Sequence, residues 1–101
     1  MVTQIPVPQA AIADFCRSNG IRKLAFFGSV LSERFSDSSD VDVLVEFKPG
    51  ERVGFFRLAE MEEQLGQLLG GRKVDLRTPN DLSVYFRAEV LHNSLVAYAE
   101  P

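Results

Sequence analysis

Two short apolar runs constrain this chain more than any other feature of its sequence. Leu24-Ala25-Phe26-Phe27 is uninterrupted, and Val41, Val43, Leu44, Val45 and Phe47 crowd a second stretch. The β-branched content of the second favours strand over helix. Unbroken apolar strands need cover on both faces, which helices supply. Both runs fall well short of the ~20 residues of a membrane span. The pattern therefore predicts an α/β fold (α+β in the looser sense), a small mixed sheet with helices packed on it.

The remaining elements fit around those strands. Gln9 to Ser18 carries Ala11, Ile12, Phe15 and Cys16 at helical spacing. Asn19-Gly20 ends that helix, with Gly20 suited to a left-handed cap. A strand over Ile21 to Phe27 stops at Gly28-Ser29, and Val30 to Phe35 reads as one or two helical turns. Ser36 to Ser39 is a turn, and Val41 to Phe47 is the second strand. From Gly54 to Leu69, Phe55, Leu58, Met61, Leu65 and Leu68 recur at three and four, which predicts an amphipathic helix. Lys73 to Arg77 is a third strand and Tyr85 to Asn93 a final helix. Leu95 to Tyr98 is a last short strand or an extended tail. One domain over 1–101 is expected.

Charge narrows the function classes. Eleven Lys and Arg face fourteen Asp and Glu, a net charge of −3. A nucleic-acid binder needs a basic face to neutralise phosphates, so direct nucleic-acid binding is disfavoured. The single cysteine, Cys16, offers neither a disulfide nor a zinc set and reads as a core thiol. His92, the lone histidine, reads as a surface or partner-facing residue. The first ten residues lack the charged and apolar regions of an export signal. A cytoplasmic protein is expected.

The chemistry-bearing residues sit at strand ends. Asp40 and Asp42, in Ser39-Asp40-Val41-Asp42-Val43, are two apart at the mouth of an apolar strand and share a face. Carboxylates placed so repel each other unless a cation intervenes, and their oxygens suit Mg²⁺. By itself an Asp-x-Asp is more often a solvated strand face. Gly28-Ser29 lets backbone approach a ligand, and Ser29 adds a hydroxyl for a phosphate oxygen; a plain capped turn is the alternative. Asp75, between Val74 and Leu76, is either an exposed carboxylate on an edge strand or, if its strand lies beside theirs, a third carboxylate that joins the pair.

These motifs together carry a resemblance. Phe27-Gly28-Ser29-Val30-Leu31 is followed, with nine residues between Ser29 and Ser39, by Ser39-Asp40-Val41-Asp42-Val43-Leu44-Val45-Glu46-Phe47. Later come Gly71-Arg72-Lys73-Val74-Asp75-Leu76 and Asp81-Leu82-Ser83, then Tyr85-Phe86-Arg87. In this order they resemble the nucleotidyltransferase superfamily that includes DNA polymerase β, above all its minimal nucleotidyltransferase (MNT) branch of antitoxins. The resemblance implies the polymerase β-like fold and Mg²⁺-dependent transfer from ATP. Gly28 and Ser29 would hold the triphosphate. Asp40, Asp42 and Asp75 would ligate metal and serve as the catalytic carboxylates, with Asp75 as base. One departure is Ser32, which stands where relatives frequently carry Arg; Arg34 lies next on the turn.

Members of this branch usually act beside a helical HEPN toxin. The implied function is a protein adenylyltransferase, the antitoxin that transfers AMP from ATP to a tyrosine hydroxyl of that partner. The alternative is a non-catalytic antitoxin that neutralises the HEPN protein by binding. The lack of an added substrate domain favours a protein acceptor over a small molecule. Tyr85, Phe86, Leu95 and Tyr98 are candidates for the partner surface, with core packing as the plainer role. A sheet edge on so small a domain is also compatible with a homodimer or hetero-oligomer.

Overall fold

A computed structural model describes residues 2–100. Helix α1 spans Gln9–Ser18, strand β1 Ile21–Phe27 and strand β2 Val41–Phe47. Helix α2 (Phe55–Leu68), strand β3 (Val74–Arg77), helix α3 (Arg87–His92) and strand β4 (Leu95–Ala99) follow. The four strands form one mixed sheet in the order β3-β2-β1-β4. β1 runs antiparallel to both β2 and β4, whereas β2 and β3 are parallel, joined through α2.

The sheet is packed unequally on its two faces. Leu24 and Phe26 of β1, Val41, Val43 and Val45 of β2, and Val74 and Leu76 of β3 form the core face. Ile12, Phe15 and Cys16 of α1 and Met61, Leu65 and Leu69 at α2 close over it. On the opposite face Lys23, Phe27, Asp42, Glu46 and Asp75 are half-buried, while Ala25 and Leu44 are buried. The continuous apolar runs thus overstated the cover on that second face, and this is where the acidic residues lie.

Several boundaries differ from expectation for identifiable reasons. Val30 to Phe35 is helical only at its first two residues. A 3-10 turn over Gly28–Leu31 ends at Ser32, whose backbone is extended. Ser32 Oγ donates to the Ser29 carbonyl and accepts from the Arg34 amide, so a local side-chain bond competes with helix propagation. The final helix begins at Arg87, because Ser83 anchors a turn first: its Oγ accepts from Tyr85 N and its carbonyl from Phe86 N. Phe55 stands 79% exposed, off the core stripe that the helical periodicity assigned to it. Leu95 to Tyr98 is a true strand paired with β1.

β3 is a sheet edge, and α2 protects it. The Leu76 amide donates to Glu62 Oε2 at 2.8 Å, replacing the partner that a further strand would provide. Among the described residues, no helix is long and apolar enough to cross a membrane.

Candidate active site

The site forms where β1 ends and β2 and β3 begin. Antiparallel pairing sets Phe27 opposite Asp42, and parallel pairing sets Asp42 opposite Asp75. Asp40 precedes β2 by one residue and is two before Asp42, so all three carboxylates come to one end of the sheet. The condition attached to Asp75 in the sequence, a strand beside that of Asp40 and Asp42, is met.

Electrostatics records the crowding. The Asp42 carboxyl is raised above its ordinary 3.8, first by burial and then by the negative charges of Asp75 and Asp40. Arg77 opposes that shift. A carboxylate pushed up in this way calls for a nearby cation, and a hard divalent ion matches the all-oxygen donor set.

Gly28 completes the corner. Its φ is +75°, a left-handed conformation that side chains disfavour. A Cβ on Gly28 would lie 2.5 Å from Asp42 Oδ2. The absence of a side chain therefore leaves the Asp42 carboxylate open against bare backbone. Ser29 follows, half-buried within the 3-10 turn. That turn replaces the helix whose N-terminal amides were expected to face a phosphate.

The cluster is drawn partly apart by basic neighbours. Arg77 Nη2 and Nε donate to Asp75 Oδ2 at 3.0 and 3.3 Å. Lys73 Nζ lies 3.8 Å from Asp40 Oδ2. Among the described residues, no three acidic, His or Cys side chains close on a common point that could hold a metal. Asp40 and Asp42 are the carboxylates left open to an ion, while Asp75 is held by Arg77. Arg77 and Lys73 were missed in the sequence reading. The signal for Arg77 was its two-residue spacing from Asp75 on one strand, which places both on the same face.

Two clefts flank the corner. On the β3 side, Asp40 opens into a polar cleft of about 290 Å³ shared with Ser39, Gly71, Arg72 and Lys73. On the β1 side, Phe27 and Gly28 open into a cleft of about 300 Å³ walled by Phe86, Glu89, Val90 and Asn93 around α3. The candidate partner surface is divided. Tyr85 and Phe86 are 89% and 61% exposed, whereas Leu95 and Tyr98 are half-buried, Tyr98 against the core. Cys16 is fully buried and His92 exposed, as their sequence context indicated.

Comparison with known proteins agrees with this geometry. The model of the nucleotidyltransferase domain family matches residues 10–98. A Methanocaldococcus jannaschii protein provisionally named protein adenylyltransferase MJ1217 is 37% identical over 62 residues, 61% of this chain and 60% of its own. Protein adenylyltransferase MntA of Thermococcus cleftensis is 42% identical over 57 residues, 56% of this chain and 54% of its own. The matches thus span between half and two thirds of these two relatives. A solved structure described provisionally as a minimal nucleotidyltransferase superposes with a TM-score of 0.70 at 29% identity, covering 86% of both chains. A toxin–antitoxin complex crystallised with AMP-PNP gives 0.72 at 19% identity, over 92% of this chain and 74% of that one. At that identity the likeness is one of fold.

Proposed function

The chain belongs to the nucleotidyltransferase domain family, and on that premise we propose that it is a Mg²⁺-dependent protein adenylyltransferase. Its acceptor is a tyrosine hydroxyl of a HEPN-type toxin, for which it serves as antitoxin. The observation that carries the reading is the corner itself: a left-handed glycine that bares the backbone beside a carboxylate whose ionisation is opposed by two others. The adenylyltransferase names of the relatives support the reaction class. The toxin–antitoxin complex with a nucleotide analogue supports the partner class.

The residues divide the work as follows. Asp40 and Asp42 would hold the cation, which would supply charge to offset that developing on the attacking and leaving oxygens. Gly28 admits the triphosphate to the backbone, and the Ser29 hydroxyl donates to a phosphate oxygen. Asp75 accepts the proton of the attacking hydroxyl, with Arg77 orienting its carboxylate. The acceptor oxygen bonds to the α-phosphorus, the bond from that phosphorus to the bridging oxygen breaks, and pyrophosphate leaves. No side-chain nucleophile is required, consistent with the burial of Cys16.

Mass spectrometry of the partner toxin after incubation with ATP and Mg²⁺ tests this. Wild-type protein adds an adenylate to a toxin tyrosine, and the Asp40→Ala/Asp42→Ala variant adds none. An unmodified toxin with wild-type protein sinks the catalytic reading. Neutralisation of that toxin by the double variant as well as by wild type identifies sequestration by binding instead.

A further inference from the structure

We propose that the cleft between the end of β1 and α3 is the nucleobase subsite, and that Glu89 makes it selective for a base carrying an exocyclic amine, as adenine does. The inference rests on the nucleotide reading above and assigns the part of the nucleotide which that reading leaves unplaced. The cleft opens on Gly28, the residue that would meet the phosphates, so a nucleoside attached to them reaches it without crossing the sheet. Its volume of about 300 Å³ is at the lower end for small-ligand sites. Its walls are suited to a flat heteroaromatic ring: Phe27 and Gly28 on one side, Phe86 and Val90 on the other. Phe86 is 61% exposed, an aromatic ring with half its surface unused by the fold.

The polar lining is one-sided. Glu89 contributes a carboxylate, which accepts only. Asn93 engages its amide nitrogen with the Glu89 carbonyl at 3.0 Å, so its amide oxygen is the group left for a ligand. Two acceptors and an aromatic wall match the amino group of adenine and repel a carbonyl at the same position. The cleft on the β3 side, where Arg72 and Lys73 face Asp37 and Asp40, has no aromatic wall and does not suit a base.

Equilibrium binding in Mg²⁺ with three probes, ATP, ITP and inorganic tripolyphosphate, tests the assignment. ITP differs from ATP by a carbonyl in place of the amine. ATP should bind about tenfold more tightly than ITP, in line with one charged hydrogen bond. Glu89→Gln should narrow that gap, since an amide can donate to the carbonyl. Phe86→Ala should weaken ATP by about tenfold, the scale of one lost base stack, and leave tripolyphosphate unchanged. Equal affinity for ATP and tripolyphosphate, or an ATP-to-ITP ratio that Glu89→Gln leaves intact, overturns the subsite while the phosphate site stands. Failure of both ATP and tripolyphosphate to bind overturns the nucleotide reading and the subsite together.

Discussion

At Asp42 three influences act in one direction. Burial, Asp75 and Asp40 all disfavour the ionised carboxyl, and only Arg77 relieves it. The folded-state pKa is therefore above the unfolded one, so the folded protein holds the proton more tightly. The associated stability is full below the ordinary 3.8 and is lost as the pH rises through the folded-state value. Asp42→Asn removes the charge and keeps the shape. In EDTA this variant should melt at a higher temperature than wild type at neutral pH, and the gap should close in acid. Thermal melts across a pH series read this directly; a lower neutral-pH melting temperature for Asp42→Asn would contradict it. On the proposed reading the same variant should also lose nucleotidyl transfer, a trade of stability against activity at one residue.

The elements hold the site through a close approach that the sequence pattern does not reveal. Gly66 lies in the last turns of α2, where Ala is ordinarily about 1 kcal/mol better than Gly. Here a Cβ would collide with the Arg72 carbonyl oxygen. The Gly66 carbonyl in turn accepts from the Gly71 and Arg72 amides at 2.9 and 3.2 Å. The turn at Gly70–Gly71 thus folds back onto α2 and delivers Lys73, whose carbonyl accepts from Val41 N at 2.8 Å. Gly66→Ala should therefore destabilise by about 1–3 kcal/mol, the range for overpacking, reversing the sign that helix propensity predicts. Urea denaturation decides it; a stabilised variant would show that the loop yields freely. Helix α2 itself was readable from its three-and-four spacing, and its ends at Gly54 and Gly70 from the glycines. Its contact with the turn was not, since helical Gly66 gives no local sign of its neighbour.

For the whole molecule the core supplies a direct probe of folding. Cys16 is fully buried in the cluster shared by α1, α2 and the sheet. Its thiol is pushed up to about 12, chiefly by burial, so the native protein presents almost no thiolate. Alkylation of Cys16 should follow global unfolding and speed up with urea in step with the loss of circular dichroism. Fast labelling of the native protein would show that α1 opens separately from the rest. The radius of gyration, 12.8 Å, is that of a compact chain of this length, about 13 Å. A single core reaching from Ile5 to Tyr98 accounts for it.

The sequence alone determined what depends on local pattern. Strand positions followed from the apolar runs, helix positions from the three-to-four-residue period, the left-handed cap from Gly20, the end of β1 from Gly28-Ser29, and the carboxylate pair from its two-residue spacing. Its motif order also pointed to the nucleotidyltransferase family. The tertiary structure decided whatever depends on which strand lies beside which. Asp75 reaches Asp42 because β3 joins β2 in parallel register, a pairing across 33 positions of sequence. Arg77 competes for Asp75 because that register leaves both on the open face. The cleft beneath Phe86 exists because Ser83 delays the start of α3 until Arg87. Periodicity is a short-range property of the chain, whereas register, close approach and shared charge arise between segments distant in sequence.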